Sequence, residues 1–457
     1  MPINSFENYP LSWKPDKAKL NRPYYKSLSN LLIDDILNGS LKPNTMLPPQ
    51  RELADFLDLN LSTITKAYKL CRLYGFLYGQ VGRGTFVSAN KTVKDNLFIK
   101  TSDSFELGLI EPFYEFDNLT LDVAKDVISK KSAVELLQYN EPFGTKSQLN
   151  MAKKYLSNVC LNISTDRLAI FPGAQNSLAV VLLALFKTGD IIAADTYTYT
   201  NFRKLSNSIG IQLIAIEFDD VGMIPSSLNS ACHRHDIKGV FVMPTCSNPT
   251  NIIMSLERRK ELSEVIIDND ILLIEDETYA FVLEEAIPPF ASIIPENTIY
   301  INGLSKALSA GLRIAFVSYP SKFKEKILDT AQNINLNNVS INAEIVSKMI
   351  ENGVAEQMIC KKKEQSILRN TIYKSIFHID NNNPGFFQWL ELPGDYNSEE
   401  FEFFAEKQGV RILGSHHFLI GNNNDKNYIR ISLSSIKSIN ELIQALQLLK
   451  SLLEIND

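Results

Sequence analysis

Between residues 20 and 88 the apolar positions recur at helical spacing, interrupted by short breaks. In the stretch 24–37, Leu28, Leu31, Leu32, Ile36 and Leu37 fall near one face, which predicts an amphipathic helix stopped at Asn38-Gly39. Leu47-Pro48-Pro49 breaks the pattern, and 51–57 predicts a short second helix. Asn60 is placed to cap a third over 62–73, closed by Gly75. Two β-prone runs then flank Gly82-Arg83-Gly84 and predict a hairpin. Three helices followed by a hairpin describe a winged helix-turn-helix, an α+β module over 20–88. Residues 89–104 are polar and poorly periodic and read as a linker. From 105 onward the pattern changes. Helical stretches alternate with short apolar runs at 168–171, 191–194, 213–216, 239–242, 271–274 and 298–301. Such alternation predicts an α/β fold with a mostly parallel, helix-covered sheet that binds ligands at the carboxyl ends of its strands.

Composition narrows the classes. The chain has 457 residues, 45% hydrophobic and 21% charged, which excludes a disordered, collagenous or fibrous protein. The longest apolar run, 178–186, is far shorter than the ~20 residues a membrane helix needs. No basic-then-apolar leader is visible, and Cys71, Cys160, Cys232, Cys246 and Cys360 stand singly, so a reduced, cytoplasmic chain is expected. Net charge is −6, yet residues 1–90 hold 11 Lys/Arg against 7 Asp/Glu, a balance of +4 on an otherwise acidic chain. A small polyanion-binding module on a larger body fits that asymmetry. His233, His235, His416 and His417 form pairs, but no Cys, Asp or Glu completes a metal site in the sequence, so they read as solvated or loop histidines.

The N-terminal piece carries three blocks: Leu47-Pro48-Pro49-Gln50-Arg51-Glu52-Leu53-Ala54, Ser62-Thr63-Ile64-Thr65-Lys66-Ala67-Tyr68 and Gly82-Arg83-Gly84-Thr85-Phe86-Val87. In this order they resemble the GntR-type winged helix. A recognition helix turns its first residues to the major groove, where Thr63, Thr65 and Lys66 reach bases and phosphates. Arg51 matches the family's backbone-contacting arginine. Arg83, between two glycines at the wing tip, is expected at a minor groove or a phosphate. The plainer alternatives are an ion pair for Arg51 and a solvated turn for Arg83. Leu61 and Thr65 stand where many relatives carry arginine, which lowers the affinity expected of one copy and favours two copies on a dimer.

The block Leu304-Ser305-Lys306-Ala307-Leu308-Ser309-Ala310-Gly311-Leu312-Arg313 looks like the cofactor-lysine signature of fold-type I pyridoxal-phosphate enzymes. The resemblance implies Lys306 as the Schiff-base lysine, with Ser305 and Arg313 on the phosphate. Asp276 matches the acid on the pyridine nitrogen; Tyr279 and Asn248 match the two groups on the phenolic oxygen. Gly173, Ala174 and Gln175 open an apolar helix and make a phosphate cradle. Tyr199 matches an aromatic stacked on the ring, and Tyr139 a tyrosine reaching the partner subunit's phosphate. Arg430, in Tyr428-Ile429-Arg430-Ile431-Ser432, matches the arginine that forks onto a substrate carboxylate. Two departures stand out. Gly303 replaces a usual Ser or Thr on the phosphate, a charge-assisted hydrogen bond worth ~1.5–3 kcal/mol. Asn251 replaces the glycine that usually follows the Asn-Pro-Thr segment.

Together the two halves resemble the MocR subfamily: a GntR-type winged helix fused to an aminotransferase-like domain over 105–457, with a smaller C-terminal α/β subdomain from about 340. The resemblance implies a regulator that binds double-stranded DNA as a homodimer. It would use pyridoxal 5′-phosphate to sense an amino compound or amino acid, or the B6 vitamer itself. The competing expectation is a working aminotransferase with an appended DNA-binding domain, since every residue transamination needs is in place.

Overall fold

A computed structural model describes residues 11–37, 39–73, 76–80, 83–88, 104–380, 383–394, 396–421 and 427–454. The chain forms two compact units that divide between residues 103 and 104. Of the expected linker only Ser104 is described, and the breaks read at Asn38, Gly75 and Gly82 lie outside the described residues.

In the first unit the helices span Tyr24–Leu37, Gln50–Leu57 and Leu61–Leu73. The first two pack on the third, burying Leu28, Leu32, Leu53, Leu57, Ile64 and Leu70. The Asn60 carbonyl accepts from the Thr63 N–H (2.9 Å) and starts the third helix. The wing is an antiparallel hairpin, Leu77–Gln80 against Gly84–Val87. It gains a third edge that the sequence pattern did not predict. Met46 bridges to Phe86, and the Leu47 N–H donates to the Thr85 carbonyl (2.8 Å), so the stretch before Pro48 is bound to the wing.

The second unit is built on a seven-stranded sheet in the order Leu168–Phe171, Ala315–Ser318, Thr298–Gly303, Leu272–Asp276, Ile237–Val242, Ile191–Asp195, Gln212–Ile216. All six predicted runs are strands. The seventh, Ala315–Ser318, is antiparallel to both neighbours. It returns directly from Thr298–Gly303 because the connection 304–314 is too short to carry a crossover helix. Helices cover both faces, so the strands Leu168–Phe171, Thr298–Gly303 and Ala315–Ser318 are buried at every position. Beyond the long helix Val354–Phe377 lies a smaller antiparallel sheet, Phe387–Glu391, Tyr428–Ser432 and Leu413–Gly414, with the helix Ile439–Glu454 packed on Val354–Phe377. Phe105–Glu106 pairs in parallel with Val410–Arg411.

Buried charges shape the central strands. Strand alternation sends Asp276 to one face of the sheet and Glu275 and Glu277 to the other. There the wholly buried Arg259 donates to Glu277 Oε1 (2.8 Å) and Thr245 Oγ1 (3.0 Å), with Glu275 Oε1 at 3.9 Å. Glu275 also accepts from the Phe290 and Ala291 N–H groups. Burial raises the pKa of both acids, and the guanidinium opposes that rise. Asp195 has no such partner. It ends its strand with Oδ1 buried and unbonded, and burial pushes its carboxyl up to about 7.

Arg259→Leu strands two buried carboxylates and is expected to cost about 3–5 kcal/mol, seen as a lowered melting temperature of the full chain. Asp195 holds its proton more tightly folded than unfolded. Its contribution to stability therefore falls as pH rises from about 4 to about 7. Asp195→Asn is expected to change little near pH 4 and to gain about 1.4 kcal/mol per pH unit above that until the gain levels near neutrality. Melting curves across the pH range would check this; a gain independent of pH would contradict it.

Candidate functional site

At the carboxyl edge of the large sheet lies a cavity of about 300 Å³. Its walls come from segments that each follow a strand or a turn: Ala174 and Gln175 after Leu168–Phe171, Tyr199 after Ile191–Asp195, Asn248 after Ile237–Val242, Asp276 and Tyr279 at the end of Leu272–Asp276, and Ser305, Lys306 and Arg313 after Thr298–Gly303. Arg430 enters from the smaller sheet. One cavity therefore gathers ten of the residues singled out in the sequence. Gly173 stands just behind it as the N-cap of the helix Ala174–Leu185, at φ 90° and ψ 162°, a backbone region essentially confined to glycine. A Cβ at this position would lie 2.5 Å from Arg313 Nη2. The bare backbone is what lets the guanidinium reach the first turn of the helix, whose N–H groups point outward unpaired. Arg313 itself is left-handed (φ 50°, ψ 54°) and donates to Ser305 Oγ (2.9 Å). Tyr139 is not in this cavity; it is 83% exposed.

Asp276 and Arg430 are buried in the cavity, Lys306 is half-buried and Arg313 is exposed. Burial, with Arg430, Lys362 and Arg313 nearby, brings the Lys306 ammonium down to about 8, while Glu111 opposes this; its Nζ donates to the Ile110 carbonyl (2.5 Å). Burial raises Asp276 to about 6, restrained by the Thr278 N–H (3.0 Å) and Thr278 Oγ1–H (2.6 Å), which both donate to Oδ1. Tyr279 is buried between Phe386 and Phe387, edge to face with each. The Asn201 amide donates to the Tyr199 hydroxyl (3.1 Å). Arg430 is nearly enclosed. It donates to Asn248 Oδ1 (2.8 Å) and to the Gly108 carbonyl (2.6 Å), and lies over the Phe418 ring at 4.9 Å. Its Nε is buried without a partner, and burial lowers its pKa to about 10.

Several participants were invisible in the sequence. Thr278 steadies Asp276 and also accounts for Gly303, because a Cβ at 303 would lie 2.9 Å from both Thr278 Oγ1 and Ala174 Cβ. Asn251 sits at φ 57°, the left-handed region that asparagine tolerates best after glycine. Lys362, wholly buried in the helix Val354–Phe377, donates to the carbonyls of Lys306 (3.1 Å) and Leu308 and fixes the turn that carries the lysine. In sequence it is one of three consecutive lysines, with no signal of its own. The reading that no acid completes the His416–His417 pair is corrected. Glu402 lies 3.0 Å from His417 Nε2 and 3.7 Å from His416 Nε2, brought there by the helix Ser398–Lys407.

In the first unit Arg51, Thr65, Lys66 and Arg83 are exposed and Thr63 is half-buried. The Thr65 hydroxyl bonds Gln50 Oε1 (2.7 Å), linking the second and third helices. Lys66 Nζ lies over the Tyr25 ring at 5.7 Å. Gln50 and Thr65 thus meet at one helix–helix corner, with Arg51 and Lys66 each on the next position.

Comparison with known proteins agrees with this architecture. The family described as "Aminotransferase class I and II" matches residues 107–446, and "Bacterial regulatory proteins, gntR family" matches 24–87. The chain is 36% identical over 459 residues to the uncharacterized HTH-type transcriptional regulator YdeF of Bacillus subtilis, covering 99% of each. It is 26% identical to the regulator YdfD of the same organism, covering 92% of this chain and 94% of that one. Among solved structures, a kynurenine aminotransferase of Pyrococcus horikoshii, in complex with PMP, superposes with a TM-score of 0.71 at 22% identity. That match covers 78% of this chain and 91% of the other.

Gly173→Ala brings a methyl group into the Arg313 guanidinium at a backbone angle alanine avoids. It is expected to destabilise the chain by more than ~1 kcal/mol and to weaken retention of inorganic phosphate, measured by melting temperature with and without phosphate.

Proposed function

Because this chain belongs to the GntR-family transcription regulators that carry a class I and II aminotransferase domain, the MocR-type architecture, we propose that its large unit binds pyridoxal 5′-phosphate at Lys306 and senses an amino compound, or the vitamer itself. The observation that carries this reading is the convergence of Lys306, Asp276, Asn248, Tyr279, Ser305, Arg313 and Arg430 on one cavity. The residues present fit the group. The Gly173 backbone and Arg313 leave a cationic cradle where any Cβ would intrude. A buried acid and a half-buried amine with a lowered pKa complete the donor set.

When bound, the vitamer supplies an aldehyde that condenses with primary amines and a ring that withdraws electrons. Ser305, Arg313 and the first turn of Ala174–Leu185 would hold its phosphate. Asp276, steadied by Thr278, would keep a proton on the ring nitrogen. Asn248 and Tyr279 would face the phenolic oxygen, and Tyr199 would stack on the ring. Tyr139, exposed on this chain, would serve the phosphate of a partner subunit in a homodimer. Lys306, with its pKa lowered, supplies a larger neutral fraction than an ordinary lysine at neutral pH.

Arg430 would take an effector carboxylate in place of the Gly108 carbonyl, and Lys306 would give up Ile110. Both carbonyls lie on the stretch just after the linker, so capture of ligand acts directly on the chain that leads to the DNA-binding unit. The effector alters DNA affinity only insofar as it binds two arrangements unequally. Arg51, Thr63, Thr65, Lys66 and Arg83 would make the DNA contacts. Turnover is the second reading, favoured by the complete donor set around Lys306.

Adding the vitamer to the purified chain is expected to produce a visible absorbance band whose formation strengthens as pH rises through about 8, because the neutral amine is the reactive form. Lys306→Ala should show no such band, and its retardation of an operator fragment should not respond to vitamer or amine. An unchanged band in Lys306→Ala would overturn the assignment. Steady conversion of an amino acid with a keto-acid acceptor, without any DNA retardation, would favour the enzyme.

A further inference from the structure

We propose that Glu402, His416 and His417 form a binding site for a divalent transition-metal ion of the zinc class, separate from the ligand cavity and independent of the cofactor reading. The carboxylate and two ring nitrogens lie within 4.8 Å of one another. Both Glu402 oxygens are 3.0 Å from His417 Nε2, and Oε2 is 3.7 Å from His416 Nε2. Tetrahedral zinc, with its nitrogen and oxygen ligands at ~2.0–2.1 Å, spaces them about 3.3 Å apart, a value these separations bracket. The two imidazole rings lie with centroids 4.0 Å apart.

The surroundings are those of a built site. His416 Nδ1 is 3.4 Å from Ser398 Oγ, which turns the opposite ring nitrogen toward Glu402. The Gly414 N–H donates to Glu402 Oε2 (2.7 Å) and orients the carboxylate. Outer partners of this kind commonly fix the ligands of a metal centre. Gly414 is itself needed, because a Cβ there would lie 2.8 Å from His416 Nδ1 and 2.6 Å from the Ser398 carbonyl. The side chains of Glu402, His416 and His417 are 22%, 32% and 36% exposed, open enough for an ion to enter and for water to fill a fourth position. Two imidazoles and one carboxylate select zinc, cobalt, nickel or copper over magnesium or calcium.

An ion here would tie the turn Ser415–His417 to the helix Ser398–Lys407. The next residue, Phe418, packs under Arg430, and its carbonyl accepts from the Thr198 N–H (3.0 Å) beside Tyr199. Metal occupancy would therefore stiffen one wall of the ligand cavity without touching the ligand.

The test titrates the full chain, first stripped with a chelator, with cobalt(II) followed by visible absorption and with zinc followed by calorimetry. About one ion per chain is expected. Glu402→Gln and His417→Ala should each weaken binding by at least about tenfold, the scale of even an outer-partner loss. The double variant His233→Ala/His235→Ala should bind as the parent does. Zinc should raise the melting temperature of the parent and not that of Glu402→Gln, a near-isosteric change that carries the test if His417→Ala does not fold. No binding at micromolar zinc, or binding unchanged by Glu402→Gln, would sink the proposal. So would binding lost only in Cys160→Ser/Cys360→Ser.

Discussion

The carboxyl edge of the central sheet depends on one buried cation. The strand Leu272–Asp276 and the residue after it present three buried acids in a row, and it runs between Ile237–Val242 and Thr298–Gly303. Alternation forces two of the acids to the side away from the cavity. The Arg259 guanidinium makes that tolerable by standing between Glu277 and Glu275 with its remaining donors spent on Thr245 Oγ1 and backbone carbonyls. Removing two carboxylates from water without such a partner costs several kcal/mol each. Asp276 inherits its aim from this arrangement, and the neighbouring strands carry Lys306 and Asn248 into the same cleft.

The cavity then concentrates charge. Lys306, half-buried, and Arg430, buried, are both turned toward one short stretch of backbone, the carbonyls of Ile110 and Gly108. Arg430 also holds Asn248 Oδ1, and burial lowers the pKa of each cation. An anionic molecule would meet in Arg430 a donor already largely removed from water, the situation in which electrostatic interactions are strongest.

Much of this was legible in the sequence, for a definite reason. Periodicity reports what a residue's own element buries, so the three helices of the first unit and six strands of the second could be read directly. The lysine block and the acid, tyrosine and asparagine upstream of it carry chemistry at fixed offsets from strand ends, and the fold brings them together. What stayed hidden are pairings between distant segments. Arg259 and Lys362 look like surface charges on polar helices, yet both are wholly enclosed. Thr278 is one more polar residue until its hydroxyl is seen on Asp276 and its bulk against Gly303. Ala315–Ser318 is too short to announce its antiparallel return. Glu402 and the two histidines are separated in sequence, and only a helix laid against a turn joins them.

The pairing of Phe105–Glu106 with Val410–Arg411, reinforced by the Ser432 N–H on the Leu107 carbonyl (2.7 Å), has a consequence for biosynthesis. The winged-helix segments, up to residue 88, are made well before Val410–Arg411. The stretch just beyond the linker finds its mates only when nearly all of the polypeptide has been translated. A chain cut short before Val410 would leave Phe105–Glu106 without its strand partner.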